Sequence, residues 1–301
     1  MGQAGDGAGL PEGARRWVGE VLEGTVTGAE PLPGATTSEL HAVTVTDAAG
    51  EHRVALRRYV LREVLAVEPD VAAREAAVLA ALGGAPLPTP YLLAADPDGV
   101  HCDVPAVLMT LLPGRVVWQP ADVGAWLTGL AALLPVLHAQ PVPAGLRRYA
   151  PYRQASLEPP DWSGRPELWR RAVEAFAAPA PLLPEVLLHR DFHPGNVLWD
   201  GEQVSGLVDW QDAAAGPAVV DVGHCRAHLA ARLGVDVAER FAAEWERLSG
   251  QRFHRWADVV AVVGMLDVLR AEPPARPDDV EELLTRAVGD APATDRAGST
   301  S

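Results

Sequence analysis

The chain has 301 residues, 48% hydrophobic and 22% charged, enough apolar content to bury a sizeable core in one two-lobed domain or two small ones. Its formal charge of −15 argues against a phosphate-backbone binder, which presents clustered Lys and Arg, so no nucleic-acid partner is expected, although an acidic surface suits a cationic ligand. The longest apolar run, 127–137, is interrupted by Thr128, Gly129 and Pro135 and is too short for a membrane span, and the first residues lack a basic start followed by an apolar core, so a cytoplasmic protein is expected.

Residues 1–11 and about 287–301 are rich in Gly, Ala, Asp, Thr and Ser and read as loose tails. From about 25 to 60 the pattern is short and β-like, with 43–46 and 52–60 joined by a hairpin turn at 47–50. Asp70 is placed to cap a helix reaching Leu82, where Gly83 and Gly84 end it. Two further extended segments lead to Pro113-Gly114. Helical periodicity then dominates, over 121–138 with a kink or break at Pro135, then 166–177, 217–233, 235–248, 255–269 and 278–287. The exception is 186–209, where short apolar runs alternate with turn residues. A β-rich amino-terminal lobe over 12–112, a hinge near 110–114 and a helical lobe over 113–286 predict an α+β arrangement with a cleft between the lobes.

The chain contains no lysine, no isoleucine and a single asparagine, Asn196, so every role that usually falls to Lys falls here to Arg. Cys102 and Cys225 lack metal-type spacing and suit reduced thiols.

The most specific segment is His189-Arg190-Asp191-Phe192-His193-Pro194-Gly195-Asn196, with Asp209 thirteen residues on at the end of an apolar strand. Its H-R-D-x-x-x-x-N spacing resembles the catalytic loop of kinases, in which the Asp orients the attacking hydroxyl and the Asn holds magnesium. The residue types suit that chemistry, because hard Mg²⁺ takes oxygen ligands and the hydroxyl needs one carboxylate. A zinc site built on His189 and His193 would need a third ligand, and none stands out in sequence. Val54-Ala55-Leu56-Arg57 resembles the V-A-I-K strand with Arg in place of Lys; Ala55 and Arg57 share a face. Glu75 falls on the apolar stripe formed by Val71, Val78, Leu79 and Leu82, where a carboxylate needs a partner: Arg57, or at the stripe's edge Arg74 or solvent.

Together these segments, over about 28–225, resemble the aminoglycoside phosphotransferase family of small-molecule kinases. The resemblance implies a protein-kinase-like fold with a small β-rich lobe carrying one main helix. It implies transfer of the γ-phosphoryl of ATP or GTP, with Mg²⁺, to a hydroxyl of a small molecule, either an aminoglycoside-like antibiotic or a metabolite. It makes Asp191 the catalytic base and Asn196 and Asp209 the magnesium ligands. Arg57 and Glu75 become the phosphate-positioning pair. Ala55 and the backbone of Thr110, Leu111 and Leu112 would line the adenine, and Gly34 and Ser38 belong to the loop over the phosphates. Asp221 becomes a structural aspartate, with His189 and His193 as loop supports. Acceptor contacts are expected from the later helices, where Glu244, Trp245, Trp256, Asp258 and Asp267 are the candidates alongside plain surface or core roles. The loop at 34–38 is not a G-x-G-x-x-G, and no Ala-Pro-Glu follows Asp221, which disfavours a protein kinase. A non-catalytic nucleotide-binding pseudokinase is the alternative.

Overall fold

The computed structural model describes residues 9–34 and 37–289. The chain divides into two compact units. The first runs as far as Val116 and adds Pro143–Leu146 and Val197–Ala213; the second comprises Val117–Val142, Arg147–Asn196 and the chain from Ala214 onward.

In the first unit, α1 (Glu12–Val21) precedes β1 (Thr25–Pro31), β2 (Glu39–Asp47) and β3 (Gly50–Arg58). After α2 (Arg62–Val67) and α3 (Val71–Leu82), β4 (Leu92–Asp96) and β5 (Ala106–Thr110) complete an antiparallel sheet of order β1-β2-β3-β5-β4. The β2–β3 hairpin closes as expected at 47–50, where Asp47 Oδ1 accepts from the amides of Ala49 (2.7 Å) and Gly50 (3.1 Å). Alternation along β3 sends Val54 and Leu56 into a core with Val43, Val45 and Leu108, which α1 covers with Ala14, Trp17 and Val18. Ala55 and Arg57 consequently share the opposite face. The unit also holds β6 (Arg115–Val116), β8 (Val197–Asp200) and β9 (Gln203–Leu207), a sheet of order β6-β8-β9.

The second unit contains α4 (Val123–His138), α5 (Pro166–Ala177), β7 (Glu185–Leu188), β10 (Ala214–Pro217), α6 (Val219–Leu233), α7 (Val235–Ser249), α8 (Trp256–Gly264), α9 (Leu266–Ala271) and α10 (Pro277–Val288). Strands β7 and β10 pair antiparallel. No helix among the described residues is long and apolar enough to cross a membrane.

Three expectations need correction. Asp70 stands at the N-cap of α3 but makes no side-chain cap; its Oδ1 accepts from Arg74 Nη1 at 2.9 Å. Of the kink or break expected at Pro135, the break is not formed: α4 runs through it, because Leu130, Leu133, Leu134 and Leu137 are all buried and their packing outweighs the roughly 3 kcal/mol cost of an internal proline. The helix expected over 255–269 is two. Gln154 lies across the junction, donating to Gly264 O (2.7 Å) and accepting from the Asp267 amide (2.7 Å), so it takes up backbone groups that a continuous helix would have paired internally. Of the expected tails, residues 1–8 and 290–301 lie outside the described residues, Leu10 is buried, and α10 extends to Val288.

Candidate active site

In the first unit, Arg57 stands near the end of β3 and Glu75 on the buried side of α3, respectively 4% and 1% exposed. Arg57 Nε lies 3.5 Å from Glu75 Oε1, an ion pair, and Arg57 Nη1 lies 2.7 Å from Asp209 Oδ1. Tyr59 donates its hydroxyl to Glu75 Oε2 at 2.7 Å. Burial pushes the Glu75 carboxyl above its ordinary value against the pull of Arg57 and Tyr59. Burial would lower the Arg57 guanidinium, but Glu75 and Asp209 outweigh it and hold the cation firmly charged. Arg74 does not pair with Glu75, since it is engaged with Glu68 and Asp70.

Asp209, two residues past the end of β9, has φ +71°, a left-handed conformation that a non-glycine residue seldom adopts. The chain beyond it is held by Arg74 Nε donating to Gln211 O at 3.0 Å. The Gln211 side chain in turn bonds Thr37 Oγ1 (3.0 Å), tying the loop after β1 to the segment after Asp209. Within that loop, Ala35 and Thr36 lie outside the described residues; Gly34 takes φ +104° with open space around it, and Ser38 is buried with no partner for its Oγ among the described residues. Ala55 is buried on the Arg57 face. Thr110 ends β5 and is fixed to Tyr91, whose amide donates to Thr110 Oγ1 (2.9 Å). Leu111 and Leu112 are half-buried, and a Cβ at Gly206 would come within 2.9 Å of Leu112 Cδ1, which places the Leu112 side chain against β9.

The second unit carries the other constellation. Asp221, fully buried in the first turn of α6, accepts from the amides of His189 (3.1 Å) and Arg190 (2.7 Å) and contacts His138 Nε2 at 3.0 Å. It thereby holds the backbone just ahead of Asp191, where Arg190 also has a left-handed φ of +71° and lies 4.1 Å over the Tyr152 ring. Asn196 Nδ2 donates to Asp191 O (2.9 Å) and Oδ2 (3.0 Å); with the amide nitrogen committed there, its carbonyl oxygen is the atom able to ligate a cation. His193 Nε2 lies 3.7 Å from Asp191 Oδ2 and its Nδ1 accepts from the Gly195 amide at 3.0 Å. His224 Nε2 is 2.9 Å from Asp191 Oδ1, within ion-pair reach but out of line for a hydrogen bond. Burial alone would raise the Asp191 carboxyl; His193 and His224 outweigh it and hold the group well below the usual carboxylate range. His189 is fully buried, its ring edge-on to Phe192.

The helix α6 can carry Asp221 this close because Gly223 faces α8: a Cβ there would come within 2.5 Å of Ala257 O. The later-helix candidates divide. Trp245 is fully buried, Asp258 is buried against Arg226 (2.8 Å), and Asp267 Oδ2 accepts from the Ala155 amide (2.6 Å), so these three are framework residues. Glu244 remains near the surface, accepting from Thr128 Oγ1 at 2.7 Å, and Trp256 is half-buried with its ring edge-on to Tyr149. Tyr59, Gln211, His224 and His228 were not singled out in sequence, because their partners are distant along the chain.

The sequence from residue 39 to residue 287 matches the model of the phosphotransferase enzyme family, APH. The chain belongs to that family. It is a small-molecule phosphotransferase of the kinase type. Solved structures agree on the fold. Aminoglycoside phosphotransferase APH(4)-Ia is 15% identical with a TM-score of 0.61, the match covering 93% of this chain and 99% of that one. Macrolide 2'-phosphotransferase MphH from Brachybacterium faecium is 16% identical with a TM-score of 0.56, covering 91% and 97%. The phosphotransferase APH(2'')-IIa, solved as a ternary complex with streptomycin and ATP, is 12% identical with a TM-score of 0.58, covering 86% and 90%. Among curated proteins no sequence match is found. The phosphotransferase thus has the protein-kinase-like α+β fold, with a small antiparallel-sheet unit and a mainly helical one.

Proposed function

We propose that this phosphotransferase moves the γ-phosphoryl of ATP or GTP to a hydroxyl of a small molecule, with an antibiotic as the leading acceptor class. The observation that carries the reading is the Asp191 cluster: a carboxylate kept ionised by His193 and His224 and fixed by Asn196, on a loop whose backbone is clamped by Asp221. Phosphoryl transfer asks little covalent chemistry of the protein and much positioning, and a carboxylate of low basicity serves to orient the hydroxyl and take its proton late. Asp191 is therefore the group that aligns the acceptor oxygen. Arg57, held by Glu75, supplies fixed positive charge to the nucleotide phosphates, with the loop carrying Gly34 and Ser38 covering them. Ala55 and the backbone of Thr110, Leu111 and Leu112 receive the adenine. The carbonyl oxygen of Asn196 and the carboxylate of Asp209 are hard oxygen donors of the kind Mg²⁺ takes, which fits them as its ligands. When bound, Mg²⁺ would neutralise charge on the phosphates.

Relatives support the donor and the acceptor class. APH(4)-Ia has been solved with ADP and hygromycin B, and APH(2'')-IIa with ATP and streptomycin. The test is nucleoside-diphosphate release with Mg-ATP and Mg-GTP across aminoglycosides, macrolides, nucleoside antibiotics and amino alcohols, with Asp191→Asn as control. Acceptor-dependent release that the control loses supports transfer. Magnesium-dependent nucleotide binding without release for any acceptor would instead favour a pseudokinase.

A further inference from the structure

Three imidazoles crowd one carboxylate in the second unit, more ring nitrogens than the cluster's hydrogen bonds use. One ligand atom each from Asp191, His193 and His228 lie within 4.8 Å of one another. The His193 and His228 rings stack with centroids 4.2 Å apart, and the His224 and His228 rings, one turn apart on α6, are 4.8 Å apart. The nine-tenths-buried His224 Nε2 has no aligned hydrogen-bond partner among the described residues. We infer that Asp191, His193 and His228, with His224 beside them, bind a late first-row divalent cation, of which Zn²⁺ is the best fit.

Two imidazoles and a carboxylate are a donor set for Zn²⁺, Co²⁺ or Ni²⁺ and a poor one for Mg²⁺, which favours oxygen. The zinc pairing of His189 with His193 is not formed; the missing ligands for His193 come from Asp191 and from His228, thirty-five residues along the chain. The Gly195 amide donates to His193 Nδ1, which leaves the ring proton on Nε2. Ligation through Nε2 requires the other tautomer and loss of that bond, so the site releases its ion more readily than a structural zinc site does. Occupancy takes Asp191 as a ligand and withdraws it from the acceptor hydroxyl, a consequence that rests on the role proposed for Asp191 above.

The test is calorimetric titration of ZnCl₂ into the chelator-stripped full chain, without nucleotide and with excess Mg²⁺ to occupy hard oxygen sites. One Zn²⁺ per chain is expected, with affinity falling tenfold or more in His193→Gln and in His228→Gln and unchanged in His254→Gln, an exposed histidine elsewhere. No binding by the parent chain, or equal affinity in the first two variants, overturns the site. Co²⁺ absorption of the parent chain gives an answer independent of variant folding: strong visible bands mark four- or five-coordination by the cluster, and a weak octahedral spectrum overturns it. Because neither measurement needs turnover, a chain that never transfers phosphate would sink the proposed function and leave this site standing.

Discussion

Arg57 on β3 and Asp209 after β9 are joined through a 2.7 Å contact between Nη1 and Oδ1, so the residue proposed for the phosphates and a residue proposed for the metal neutralise each other. Arg57 also compensates Glu75, which is 1% exposed. Removing one partner of a buried pair leaves the other charge stranded. Arg57→Ala should therefore cost about 3 to 5 kcal/mol in chemical denaturation. The double variant Arg57→Ala/Glu75→Gln should recover part of that loss, and no recovery would mean that Glu75 is not the stranded group.

Asp191→Asn keeps the shape of the side chain and removes its charge. Turnover should fall by about 10² to 10⁴ while nucleotide binding persists. Unchanged turnover would remove Asp191 from the mechanism.

Asp221→Asn keeps one acceptor but turns an NH₂ group toward a backbone amide that had donated to the carboxylate. The expected cost is about 1 to 3 kcal/mol in stability, with kcat reduced and the KM for nucleotide little changed. A fall in nucleotide affinity alone would argue against a role in holding the Asp191 loop.

Glu239 offers a pH test remote from this chemistry. Burial would raise its carboxyl, but hydrogen bonds and charge from Arg255 and Arg226 lower it from 4.5 to about 2. A group whose folded pKa is depressed contributes stability above its unfolded value and loses it as pH falls toward the folded one. Glu239→Gln should thus be less stable than the parent by about 1 kcal/mol at neutral pH, allowing for solvent screening of a partly exposed group. The two denaturation curves should converge as pH falls from 4.5 to about 2. A gap independent of pH would refute the ion-pair account.

The parts of the site legible in sequence were those whose logic is local. Residues 189–196 form one continuous loop, and a carboxylate on the apolar stripe of α3 announces its need for a partner within a single helix. Tyr59 and Gln211 were not legible, because each is defined by a partner that tertiary structure delivers, Glu75 and Thr37. His224 and His228 lie one turn apart on α6, but nothing in their spacing indicates that the ring of His193 comes to rest against theirs. The helix α1 did carry a readable signal in Ala14, Trp17 and Val18, one face of a short helix, but Pro11 at its N-cap supplies no side-chain cap to mark the start. Pro135 and the α8–α9 junction show the converse, where packing or a single inserted glutamine outweighs local preference.

The near-contact of Gly223 with Ala257 has a further consequence. Asp221 and His224 flank this glycine on α6, so the separation of two helix backbones also governs how far the acidic and imidazole groups reach toward the loop. A methyl group added there would press α6 away from α8 and carry both groups with it. Substitution at Gly223 would therefore shift the supports of the Asp191 loop from a position that itself bonds none of that loop's residues.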